Sequence, residues 1–253
     1  MNYFLEKWIR VYLKCFINLI LCHRNVYPKS SFTYTTYQGF NLPQYLPITR
    51  HHGLNSYIEE FISDLLGKLD HVYHLSLFVI SKHNGWAIER YVLDFGQFQH
   101  GQPVDKDIVL KEGEVYDEFR SSLNSLITYL EKQTPIRDDT VTFEFVIDTI
   151  EMALGRKFGI DMDPKTSKSQ VVDFERDTNW IRYHEDQNVP DGKEHSGAYK
   201  PKLKVTALIG CDWGPICIQQ YNERLIVPNK GLSQVYYDDD QTNNFELTLG
   251  SLQ

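Results

Sequence analysis

The run Glu6–Pro28, EKWIRVYLKCFINLILCHRNVYP, limits the possible folds more than any other stretch. Its polar residues Lys7, Arg10, Lys14, Asn18 and Asn25 fall three, four, four and seven positions apart. On a helix of about 3.6 residues per turn that spacing makes one narrow polar line. Trp8, Ile9, Val11, Leu13, Phe16, Ile17, Leu19, Ile20 and Leu21 make nearly all the remaining surface apolar. A helix of this kind has to be wrapped by other elements, so it is predicted to be the central pillar of a compact domain. Pro28 lacks an amide hydrogen and restrains the residue before it, and is expected to stop the helix. A membrane span needs about 20 mostly apolar residues, and Arg10, Lys14 and Asn18 interrupt this run. No small-residue cleavage site follows its short apolar centre, Cys15–Cys22, which argues against a signal peptide.

The charge balance narrows the function. Against 26 basic side chains stand 34 acidic ones, for a net charge of −8 over 253 residues. A broad nucleic-acid face needs clustered Lys and Arg to neutralise phosphates, so strong direct DNA binding is not expected. Cys15 and Cys22 lie on the pillar, Cys211 and Cys217 near the end, and neither spacing is a zinc pattern. Buried thiols in a reducing compartment, cytosol or nucleus, are the expectation.

After the pillar, FTYTTY and QYLPI are expected to be short extended pieces joined by a turn around Gly39. Leu54, Tyr57, Ile58, Phe61, Ile62, Leu65, Leu66 and Leu69 then recur at steps of three and four and predict an amphipathic helix. His71–Ile80 and Trp86–Phe95 are predicted strands flanking Asn84-Gly85, a strong hairpin signal. A third helix is expected over about Glu114–Lys132, with Val115, Phe119, Leu123, Leu126, Ile127 and Leu130 inward. Asp139–Thr149 alternates Val141, Phe143 and Phe145 against Thr142 and Glu144, as a strand does. Gly155–Gln170 has the composition of an insertion, Val171–Trp180 is expected to be extended, and Thr178–Lys200 has little apolar content. Strand patterning returns at Lys202–Ile209 and Ile216–Val227. Helices and strands that do not alternate regularly predict an α+β fold, helices packed on a largely antiparallel sheet.

No catalytic motif emerges. The chain has no Gly-x-Ser-x-Gly, no Walker loop and no dinucleotide-binding glycines. His51 and His52 precede a helix without a third ligand, and are read as solvent-facing residues. His71 and His74 lie three apart on an expected strand and would face opposite sides. His184-Glu185 lacks the cysteine half of a deaminase site. A small metal-dependent hydrolase using His51, His52 or His184 is the remote alternative. The unusual feature is the long polar tether before the last two strands, since such loops often act as lids or binding segments. The bland alternative is a loop followed by ordinary strands. Terminal strands on a tether can pair at either edge of a sheet, or close over a guest peptide added to the open edge.

WIRVYLKCFINLILCHRNVYP, FNLPQYLPITRHHGLNSYIEEFISDLLGKL, ERYVLDF, DEFRSSLNSLI and DTNWIRYHEDQNVPD together resemble the HORMA-domain family. Within it they resemble the accessory, non-catalytic subunits of DNA polymerase zeta, in their budding-yeast form. The likeness covers about Tyr3–Val227, in family order, and fits Gly155–Gln170 and the tail after Pro228 least well. It implies a HORMA domain over residues 3–227, three helices packed on the sheet, with a core to about 176. A C-terminal safety belt over about 177–227 would follow, then a polar, acidic, flexible tail over 228–253. The belt would wrap a proline-containing peptide of the catalytic subunit, with Tyr57 and Trp180 as its aromatic contacts. Leu203, Gln219 and Tyr221 would form a second surface, for the scaffold polymerase of translesion synthesis. The resemblance implies a nuclear adaptor without cofactor or metal, without membrane contact, and with a second copy of itself as a further partner. HORMA adaptors of the spindle checkpoint, meiotic axis or autophagy are the alternative, sharing the belt and differing in guest.

Overall fold

The structure, a computed structural model, describes residues 3–35, 46–96, 112–149, 202–212, 217–227 and 232–237. The predicted turn at Gly39, the insertion Gly155–Gln170 and the extended piece Val171–Trp180 lie outside these residues.

Helix α1, Tyr3–His23, is the pillar. Ile9, Tyr12, Leu13, Cys15, Phe16, Ile17, Leu19, Ile20, Leu21 and Cys22 are all buried, around its whole circumference. Full burial of a large apolar side chain stabilises by about 1.5–3 kcal/mol, so this helix anchors the core. Its polar line is used for docking. Lys14 pairs with Glu59, and the fully buried Asn18 accepts from the Thr49 amide at 3.0 Å while donating to the Lys14 carbonyl at 2.8 Å. The stop comes earlier than Pro28. Asn25 adopts φ 52°, its amide donates to the Cys22 carbonyl at 3.2 Å, and the Val26 amide donates to Leu21 at 3.1 Å. That double closure is a Schellman motif, which caps the last carbonyls of the helix.

Helix α2, His52–Lys68, buries Leu54, Ile58, Phe61, Ile62, Leu65 and Leu66. His51, expected to face solvent, caps it: Nδ1 accepts from the Leu54 amide at 3.2 Å. Helix α3, Glu112–Glu131, buries all six of its predicted inward residues. Trp8 and Tyr116 meet edge to face at 4.3 Å, and Tyr12 stacks on Phe119 at 4.8 Å, which ties α1 to α3.

Strands β1 (Phe32–Thr35) and β2 (Leu46–Thr49) pair antiparallel beside α1. The main sheet joins β3 (Val72–Ser81), β4 (Ala87–Asp94), β5 (Val141–Thr149), β6 (Lys202–Asp212) and β7 (Cys217–Ile226). All its neighbours are antiparallel, in the order β5-β3-β4-β7-β6. Gly85, φ 71°, turns the β3–β4 hairpin, where the Asn84 side chain accepts from the Trp86 amide at 3.1 Å. His71 belongs to a short 3-10 turn, Leu69–His71, ahead of β3, and not to the strand expected there. The helices cover one face, against Leu75, Leu77, Val79, Tyr91 and Leu93.

The tail needs a correction. Within it, residues 232–237 are packed, with Leu232, Val235 and Tyr236 buried and an antiparallel bridge between Ile136 and Tyr236. Leu232, Val235 and Tyr236 are the apolar positions that make this possible in an otherwise polar stretch. No helix among the described residues is long and apolar enough to cross a membrane.

Candidate functional site

Strand β5 is one edge of the main sheet. Among the described residues it pairs only with β3, which leaves a row of backbone donors and acceptors on its other side. Its inward residues Phe143 and Phe145 are only half buried, beneath the aromatic residues of α2. Phe61 stacks on Phe145 at 3.9 Å, and Tyr27 meets Phe143 edge to face at 6.1 Å. Tyr57 completes the row, 6.0 Å from Phe145 in a stacked arrangement and 6.3 Å from Phe143 edge-on.

Tyr57 falls on the apolar stripe of α2, yet it is 48% exposed. The stripe runs past the last strand at this turn, so a residue with core spacing ends at the rim. Partial burial, then Tyr27 and Glu144, push its phenol above the ordinary value, so it stays neutral and can donate a hydrogen bond. An open edge beside a ridge of aromatic rings suits an extended peptide. Main-chain hydrogen bonds supply affinity there, and the rings hold alternate side chains. Phe143 and Phe145 were legible as strand residues but not as rim residues, since nothing in an alternating pattern tells an edge strand from a central one.

Trp180, the other expected peptide contact, lies outside the described residues. Leu203, Gln219 and Tyr221 are elsewhere. β6 pairs Leu203 with Leu225 and Ala207 with Tyr221, so the three residues share one face of the sheet. It is the face away from the helices, at the opposite edge from Tyr57. Leu203 is 62% exposed, Gln219 is exposed and Tyr221 is half-buried.

No group of three His, Cys, Asp or Glu side chains is placed to hold a metal among the described residues, and His184 lies outside them. His74 sits instead between two carboxylates on the outer sheet face, Nδ1 3.1 Å from Asp148 and Nε2 3.4 Å from Asp94.

The family model of the HORMA domain matches residues 6–154. This chain belongs to the HORMA-domain family. It is 52% identical over 255 residues to the DNA polymerase zeta processivity subunit of Saccharomyces cerevisiae, spanning 100% of both chains. Among solved structures, a chain of the crystal structure of the mitotic checkpoint complex resembles it at 14% identity and a TM-score of 0.59. That likeness covers 87% of this chain and 98% of the other. Caenorhabditis elegans HTP-1 bound to the HIM-3 closure motif resembles it at 12% identity and a TM-score of 0.53, covering 87% and 89%. At such identities the structures bear on the fold alone.

In this HORMA domain the outer sheet face also carries a charged ladder. Arg90 of β4 donates to Asp148 of β5 at 3.4 Å and to Glu223 of β7 at 3.3 Å, while its Nε reaches the Ser76 hydroxyl at 3.0 Å. The inner face of β7 is polar as well. Ser122 donates to Gln220 at 2.7 Å, Tyr129 to Asn222 at 2.6 Å, and Arg224 to Gln133 at 3.3 Å. The strand of the HORMA sheet nearest the chain end is thus fixed to α3 and the turn after it by hydrogen bonds where β3 uses Leu75, Leu77 and Val79. Hydrogen bonds of this kind specify register, because each has one partner at one position.

Proposed function

We propose that this chain is a non-catalytic accessory subunit of the translesion enzyme DNA polymerase zeta. It captures a proline-containing peptide of the catalytic subunit along the open edge of β5, under a belt formed by the segment that ends in β6 and β7. The observation that carries this reading is the β5 edge, unpaired among the described residues, beside Tyr57, Phe143 and Phe145. The full-length likeness to a polymerase zeta processivity subunit supplies the class of partner.

The topology supports the belt. β5, ending at Thr149, is one outer strand of the sheet, and β6, beginning at Lys202, is the other. A guest lying on β5 beneath a belt that joins the two leaves only by local opening, which lowers the dissociation rate more than it raises the association rate. Tyr57 and Trp180 are the aromatic anchors, and Leu203, Gln219 and Tyr221 offer the scaffold translesion polymerase a separate surface. Because the two surfaces lie at opposite edges, both partners can be held at once. The reading places the protein in the nucleus, during error-prone lesion bypass.

The test is binding of fluorescent proline-containing peptides, tiled across the polymerase zeta catalytic subunit, to the full-length chain. Tyr57→Ala and Trp180→Ala should each weaken the best peptide by about tenfold or more, as expected for anchor residues, with circular dichroism unchanged. Truncation at about Val171 should abolish retention. Unchanged affinity in both point variants, or retention by the truncated chain, overturns the proposal.

A further inference from the structure

We propose that Leu232–Tyr237 is a latch that retains β6 and β7 on the core, with the buried Arg24–Glu89 pair as its catch. The inference rests on the belt reading above, and names how that belt is held.

Tyr236 carries the argument. It is 1% exposed, and its hydroxyl donates to Glu89 at 2.9 Å. Glu89 also accepts from Arg24 through Nε at 2.8 Å and Nη2 at 2.6 Å, and from the Tyr91 hydroxyl at 2.8 Å. The Tyr236 ring lies 4.4 Å from the Arg224 guanidinium. Arg224 belongs to β7, and its register partner on β4 is Glu89 itself. One side chain therefore closes the junction where the belt strand meets the core, touching both sides of it.

The backbone around Tyr236 is held to the α3–β5 connection. The Arg137 amide donates to the Val235 carbonyl at 2.7 Å, and the Tyr237 amide to Pro135 at 3.1 Å. Arg137 Nε reaches the carbonyls of Ser233 at 3.3 Å and Tyr236 at 3.1 Å, with its guanidinium 4.9 Å from the Tyr237 ring. Leu232 and Val235 are buried beneath. The belt strands are thus secured beyond the last of them. Lifting β7 from β4 separates Arg224 from Tyr236 and opens the carboxylate of Glu89 to solvent, so opening is coupled to withdrawal of the latch.

Hydrogen exchange of the full-length chain, without any guest, tests this. Tyr236→Ala should speed exchange of the β6 and β7 amides by about tenfold or more, as loss of a hydrogen bond to a buried charge implies, and leave β3 amides at the parent rate. Tyr236→Phe keeps the ring and removes only the hydroxyl, so it folds where the alanine variant does not, and should give a smaller acceleration confined to the same strands. Parent-like exchange in β6 and β7, or acceleration of β3 by the same factor, overturns the latch. The readout needs no peptide, so a latch that behaves as described in a chain that retains no guest would sink the capture reading and leave this one standing.

Discussion

Arg24 reaches Glu89 across 65 positions of sequence, and the two side chains lie 1% exposed with their charges in contact. Burial raises the Glu89 carboxyl, but the Arg24 charge and hydrogen bonds outweigh it and hold the group below its ordinary value of 4.5. Breaking a buried pair from one side leaves the other charge uncompensated, at a cost of about 3–5 kcal/mol. Arg24→Met should lose stability on that scale in urea at pH 7. The pH dependence should reverse as well. In the parent, a lowered carboxylate contributes stability above 4.5 that is lost as pH falls through the folded value. In the variant burial is opposed only by the Arg224 charge and the Tyr91 and Tyr236 hydrogen bonds, so the carboxyl rises relative to the parent, and the variant should regain part of the lost stability between pH 7 and 5. Equal losses at both pH values would contradict this.

His74 gives a pH response of the opposite sign. Its hydrogen bond to Asp148 raises it most, burial opposes, and the charges of Asp94 and Asp148 add to the rise while Arg90 lowers it. A raised histidine contributes stability that is fully present below 6.5 and is lost as pH climbs through the folded value. The pair is a third or more exposed, so solvent screening limits the effect to about 1 kcal/mol at most. His74→Gln should flatten the decline in urea midpoint from pH 6 to 8.5 while leaving the pH 8.5 value close to the parent. A variant with the parent slope would remove His74 as its source.

The three helices and their inward residues were legible because a period of about 3.6 survives in any window of a dozen residues. The strands were legible from alternation, and the α1 pillar from an apolar surface too wide for one face. What alternation cannot show is which strand is outermost, so the rim formed by Phe143, Phe145 and Tyr57 needed the sheet order. Arg24 and Glu89 are two ordinary charged letters far apart in sequence, and no local pattern joins them. Tyr236 was hidden by its acidic neighbours Asp238–Asp240, whose charge suggests a solvated tail. Asn18 is polar with helical spacing and was placed on a line without a purpose. Its purpose is the Thr49 amide on β2.

Asn25, rather than Pro28, sets the end of α1, and its two roles separate by substitution. Its φ of 52° is left-handed, where a Cβ costs about 1–2 kcal/mol and Asn or Gly is tolerated best. Its Nδ2 also donates to the Ile136 carbonyl at 3.1 Å and to Asp138 at 2.5 Å. Asn25→Gly should lose only the side-chain bonds, about 1 kcal/mol. Asn25→Ala should lose those and meet the backbone strain, falling further by about 1 kcal/mol in chemical denaturation. Equal stability of the two variants would mean that the helix end tolerates another conformation.

Gly210 marks the place where β6 departs from regular pairing, between Leu208 and Cys211. A Cβ there would stand 2.1 Å from the Ile218 carbonyl oxygen and 3.1 Å from the Gln219 Cα, both backbone atoms of β7. Neither can rotate away, so Gly210→Ala has to push the two strands apart. Overpacking of this kind costs about 1–3 kcal/mol. The loss should be local, since β3 keeps its pairing with β4 and with β5. Amides at 208–212 and 217–220 should exchange faster in the variant, while those of Val72–Ser81 hold the parent rate. If the alanine variant leaves β6 and β7 protected as in the parent, the close approach at Ile218 does not govern how these strands are joined.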